Sequence, residues 1–153
     1  MLNYAVQVHS LLIPIVGNRL LLPNANVAEV THFREPAPVK GAPEWMLGFM
    51  QWRELKIPLI SFESLIGIPD TSGPGIKWVI VLNALSGDSE MPFFAMVVQG
   101  KPSLVKIDES VATPMDRKNE KGVLQHVYVD GDPAIIPDPD VIESMLRDLG
   151  GKK

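Results

Sequence analysis

Residues 40–67, KGAPEWMLGFMQWRELKIPLISFESLIG, decide the fold. Gln51 is the only polar side chain from Trp45 to Trp52, so both alternating faces of an extended segment are apolar there, which predicts a strand buried on two sides. Trp45 is then expected to lie in that strand and anchor the core beneath it. A second apolar run covers residues 57–62, and Arg53, Glu54 and Lys56 form a polar corner between the two runs. The pattern reads as two antiparallel strands joined by a tight connection with an arginine at its tip.

Upstream, Tyr4, Val6 and Val8 alternate with polar residues. Residues 11–16 face 19–22 across Gly17-Asn18, a hairpin signal because both residues tolerate positive φ. Pro23, Asn24 and Asn26 mark a turn before a strand over 27–33, and Pro36, Pro38, Gly41 and Pro43 make an irregular crossing into the central stretch. Ser61 is placed to cap one helical turn over 63–66 that Gly67 ends. Residues 68–75, IPDTSGPG, read as an exposed connector near the middle of the chain.

Downstream, apolar strands over 76–84 and 92–99 form a second hairpin, and 104–107 reads as a short strand. Residues 108–122 carry mixed charge and read as a solvated loop. A strand from Val123 to Val129 turns at Asp130-Gly131 toward 134–136. Asp138 before Pro139, with Val141, Ile142, Met145, Leu146 and Leu149 at helical spacing, predicts one C-terminal helix. The whole reads as a single, mainly β domain over 3–149.

Composition narrows the function. A chain of 153 residues can bury roughly 70% of its unfolded surface in one domain. Its 14 prolines and 12 glycines imply many turns between short strands. A net charge of −4 without a basic stripe argues against nucleic acid as a partner. With no cysteine there are no disulfides and no thiolate chemistry. The apolar run at 11–16 lacks a basic region before it and meets Arg19 soon after, so it reads as a strand rather than a signal peptide or a membrane span, and a cytoplasmic protein without direct membrane insertion is expected.

Chemistry is hard to assemble from these residues. His9, His32 and His126 lie far apart with no carboxylate at ligand spacing, so neither a metal nor a cofactor is expected. No serine sits in a nucleophile elbow, and the glycines of 72–75 lack the lysine of a phosphate-binding loop. Asp138, Asp140 and Glu143 are explained by helix capping. No catalytic residue is named.

The order and spacing of Ala42, Pro43, Trp45, Gly48, Arg53 and Pro58 resemble the central signature of the CheW-like adaptors of bacterial chemosensory arrays. The resemblance extends upstream through Val27-Ala28-Glu29-Val30 and downstream through residues 79–83. It implies two five-stranded, SH3-like β-barrel subdomains, intertwined, with a short C-terminal helix. It also implies a non-catalytic adaptor between a CheA-type histidine kinase and the tip of a methyl-accepting chemoreceptor. The chain itself is expected to be monomeric or weakly self-associating. Arg53 matches an arginine of the surface that meets kinase and receptor, and Glu29 a receptor-facing glutamate. Val27 and Val98 match apolar positions lining the groove between the barrels.

Three departures stand out. Trp52-Arg53-Glu54 replaces the usual Leu-Arg-Gly, which puts Glu54 where glycine's positive φ would suit and adds negative charge beside Arg53. Ser61 and Gln99 stand where aspartates are common, Gln99 in the receptor-facing groove. These changes suit a specialised adaptor, for instance in a type IV pilus system of the ChpC type. The alternative reading is a small β-rich enzyme or ligand-binding module.

Overall fold

The computed structural model describes residues 8–69, 77–85, 87, 90–108 and 111–150. The alternation at Tyr4 and Val6 and most of the 68–75 connector lie outside them. In chain order the strands are β1 (Val8–Ile15), β2 (Asn18–Pro23), β3 (Val27–His32), β4 (Met46–Trp52) and β5 (Leu55–Ile60). After the one-turn helix α1 (Phe62–Ile66) come β6 (Trp78–Asn83), β7 (Phe93–Val98), β8 (Ser103–Ile107) and β9 (Ala112–Pro114). β10 (Val123–Val129), β11 (Asp132–Pro137) and helix α2 (Pro139–Gly150) end the chain.

Two sheets result. One has six strands in the order β8, β1, β2, β11, β10, β9, the other five in the order β3, β6, β7, β5, β4. The sixth strand of the first is the three-residue β9, inside the stretch expected to be loop. Each sheet joins antiparallel ladders through one short parallel contact, Leu20 with Ile135 in the first and Leu59-Ile60 with Ala95-Met96 in the second. The sheets do not divide the chain at 68–75. The strands on either side of that connector, β5 and β6, share one sheet, while the N-terminal hairpin joins strands from the far end of the chain.

Both sheets curl over interiors of their own, because residues from opposite edges meet inside. Trp52 and Met50 of β4 share a cluster with Ala28 of β3, and Val105 of β8 shares one with Ala112 of β9. A third and larger cluster lies between the sheets. Period-two alternation splits single strands between two cores. Val79, Val81 and Ala95 fill one barrel, whereas Ile80, Leu82, Phe94 and Met96 face the other sheet. Helix α2 covers the inter-sheet core with Ile142 and Leu146, and the Asp138 carboxylate accepts the Val141 N–H at 3.4 Å as its cap.

The central stretch folds differently from the two-sided strand expected. β5 is the doubly buried one, from Ile57 to Ile60. β4 is a sheet edge and alternates, with Met50 and Trp52 inside and Phe49 and Gln51 exposed. Trp45 lies in the turn before β4, half-buried against the inter-sheet core; the aromatic anchor of the barrel is Trp52, 4% exposed. Gly48, at φ 143°, is required because a Cβ there would lie 2.2 Å from the Ala37 carbonyl oxygen. This close approach lets residues 36–38 cover the β4 edge, where Ala37 and Phe49 exchange both backbone hydrogen bonds.

Local signals elsewhere match. Ser61 Oγ accepts the Ser64 N–H at 3.2 Å and Gly67, at φ 87°, ends α1. The first hairpin turns on Val16-Gly17, one residue earlier than the sequence suggests.

Candidate partner-binding site

β4 and β5 connect through two residues, since Trp52 pairs with Leu55. The positive φ of this turn falls on Arg53, at 54°, and not on Glu54, where the sequence places it. That conformation costs a residue with a Cβ roughly 1–2 kcal/mol. Gln51 Nε2 secures the turn by donating to the Arg53 carbonyl at 3.0 Å.

The left-handed step folds the arginine back over its own strand. Its guanidinium carbon lies 4.4 Å from the centre of the Trp52 ring, and Nη2 donates to Glu29 Oε1 at 3.2 Å. Trp52 is fixed from below by Phe93, ring centres 4.7 Å apart and edge-on. So two candidates 24 residues apart in sequence form one pair, joining the two edge strands of the five-stranded sheet across its open seam. The Arg53 side chain stays 66% exposed and Glu29 39%, so the ion pair contributes at most about 1 kcal/mol to stability. Its main effect is to hold a planar donor outward. Glu54 is exposed beside it, giving the edge two carboxylates to one guanidinium.

Val27 is not on the same face as Glu29. The ladder shifts between them, so Val27 pairs with Leu82, which faces the inter-sheet core, and Glu29 pairs with Val81, which faces the barrel interior. Without that bulge, residues two apart would share a face. Val98 is completely buried in the inter-sheet core, paired with Trp78, and offers no surface to a groove. Gln99 is half-buried and donates its N–H to the Pro14 carbonyl at 2.8 Å. It lines a separate groove of about 550 Å³ with Phe33, Leu47 and Glu63, and neither Arg53 nor Glu29 reaches that groove.

Several side chains escaped the sequence reading. Trp52 as the platform under Arg53 is one, because neighbours along a strand normally point apart. Trp78 carries His32 stacked at 4.2 Å and Lys101 Nζ at 5.1 Å from its ring centre. Buried Glu63 accepts the Val16 N–H at 3.0 Å and buried Glu143 that of Leu85 at 2.8 Å, tying each helix to a distant strand or loop. His126 does have a carboxylate partner, Glu120, at 2.7 Å from Nε2. That hydrogen bond, outweighing partial burial, holds the Glu120 carboxyl below its ordinary value of 4.5, with Arg117 assisting from 3.7 Å. Among the described residues no three His, Asp or Glu side chains converge as metal ligands, and no helix is long and apolar enough to cross a membrane.

The family model described as the CheW-like domain matches residues 9–146. No curated protein sequence matches the chain. Among solved structures it is similar to the scaffolding protein TtCheW from Thermoanaerobacter tengcongensis, with a TM-score of 0.72 and 18% identity over 87% of this chain and 90% of that one. At that identity the likeness is one of fold.

Proposed function

The chain belongs to the CheW-like domain family, and from that premise we propose that it is a non-catalytic adaptor coupling a methyl-accepting chemoreceptor to a CheA-type histidine kinase in the cytoplasm. The observation that carries this reading is the Glu29–Arg53 pair, which holds an exposed guanidinium over Trp52 at the open seam of one barrel. A planar donor fixed this way loses little freedom on docking, and arginines at interface centres are frequent hot spots. Glu54, exposed at the same tip, biases the surface against acidic partners and suits a specialised receptor or kinase, including one of a pilus-linked system. Val27 and Gln99 belong to the receptor side of this proposal. Val98 acts there only by shaping the core beneath.

Titration calorimetry of the full chain against the isolated regulatory domain of a CheA-type kinase and against a receptor tip fragment tests it. Arg53→Glu should weaken at least one interaction by about 2 kcal/mol or more, with an unchanged melting temperature. The exchange Glu29→Arg with Arg53→Glu restores the pair but not the guanidinium's place, so it should stay weak. Unchanged affinity of Arg53→Glu for both partners, while the parent binds, would reduce Arg53 to a solvated turn residue.

A further inference from the structure

A second surface is distinct from the Glu29–Arg53 edge and does not depend on the adaptor reading. A groove of about 820 Å³ opens where the end of α2 passes the β4–β5 ladder and residues 39–42 and 90–93. Phe49, Leu55 and Val39 line it while 41%, 39% and 39% exposed, an unusual concentration of large apolar side chains on a chain that buries most of its others. Met91 and Leu149 add flexible, half-buried contacts. Alternation on β4 accounts for Phe49, since its neighbours Met50 and Trp52 share the barrel interior and leave residue 49 outside.

Charge and backbone then narrow the occupant. Three cations, Lys40, Lys56 and Arg147, rim the groove against one carboxylate, Glu90. None of the three is held in an ion pair by a described residue, and the chain as a whole carries −4. Its polar lining consists of these exposed charges alone, with no buried polar side chain to orient a small ligand. A partner strand cannot extend the sheet at Phe49, because Ala37 already takes both outward hydrogen bonds there, at 2.8 and 2.9 Å. Among the described residues a second copy of the chain has no helix to spare, since α2 and the one-turn α1 both spend their apolar faces on their own core. We propose that this groove docks one amphipathic helix of a protein partner, with an apolar stripe against Phe49 and Leu55 and acidic residues facing Lys40, Lys56 and Arg147. A helix suits the site because it satisfies its own backbone and needs only side-chain contacts and charge.

The test uses the isotope-labelled full chain and two stapled synthetic helices that share one leucine stripe, flanked by glutamates in the first and by lysines in the second. Amide shifts should cluster at 39–42, 55–58 and 146–149 with the acidic helix, and the basic one should bind about tenfold more weakly or worse. The variant Lys40→Glu, Lys56→Glu, Arg147→Glu should reverse that preference. Phe49→Asp should abolish both interactions with the melting curve unchanged. Absence of shifts at millimolar acidic helix would overturn the proposal, as would equal affinity for the two helices. So would equally tight binding of a proline-broken acidic peptide, or a concentration-dependent dimer that Phe49→Asp removes.

Discussion

Three hairpins among the described residues turn on two residues each, and in two of them the first turn residue has positive φ, 54° at Arg53 and 52° at Asp130. At Asp130-Gly131 residue chemistry and geometry agree. Aspartate tolerates the left-handed region, and Gly131, at φ 85°, supplies the second positive angle of a type I′ turn. At Arg53-Glu54 neither residue is suited to a turn of that kind. The strain of about 1–2 kcal/mol is opposed by an exposed ion pair and a cation–π contact worth under about 1 kcal/mol each. The two sides nearly cancel, so stability does not explain the arginine. Local rules broken without a net gain in folding mark places where a side chain is kept for what it offers outward.

The comparison can be broken first at the roots of the two hairpins. Trp52→Ala should cost roughly 3–5 kcal/mol, since Trp52 is 4% exposed within its barrel core. Trp52→Phe should cost much less, because the indole N–H it removes has no hydrogen-bond partner among the described residues. Urea midpoints of the two variants decide this; coincidence of Trp52→Ala with the parent would mean that the hairpin is loosely seated and that Arg53 has no fixed platform.

At the tips the effects are smaller, and only the Gly131 tip has a defined sign. Gly131→Ala should destabilise by about 1 kcal/mol: a Cβ there meets no atom within 4 Å, so the cost is conformational. Arg53→Gly removes strain and contacts together and should change stability by less than about 1 kcal/mol in either direction, while partner affinity falls as for Arg53→Glu. A large loss of stability in Arg53→Gly would make the two tips alike, both structural.

The smallest effect concerns the loop packed on β10. The Glu120 carboxyl is held below 4.5 by its hydrogen bond to His126. A depressed folded-state value stabilises the fold above the unfolded value, and that contribution is lost as pH falls through the folded one. Glu120→Gln should therefore leave the fold less stable at neutral pH and flatten its stability curve below about pH 4.5, the ordinary carboxylate value. Parallel acid limbs in chemical denaturation of parent and variant would show that the pairing contributes nothing.

Legibility followed locality. Ser61 and Gly67 around α1, Asp138 before α2, and Asp130-Gly131 were readable because caps and turns depend on a few adjacent residues. The two apolar runs of 40–67 announced strands correctly but misled about which was central, since an edge strand that is half covered by 36–38 carries nearly as much apolar surface as a buried one. Glu29 and Arg53 were each candidates; nothing in the sequence announced that they touch, because the pair spans two sheet edges.

By itself, then, the sequence determined a mainly β chain with one C-terminal helix, its hairpins and caps, and the family signature through Gly48, Arg53 and Pro58. These rest on period, turn chemistry and steric demands such as the Ala37 carbonyl against Gly48, all of which act within a few residues or through one close contact. Tertiary structure alone decided the strand order that interlaces the two ends of the chain, the bulge that turns Val27 and Glu29 to opposite faces, and the burial of Val98. Those outcomes depend on which distant strands compete for the same apolar faces. A one-residue shift in register reverses every side chain beyond it, and no local pattern records where that shift occurs.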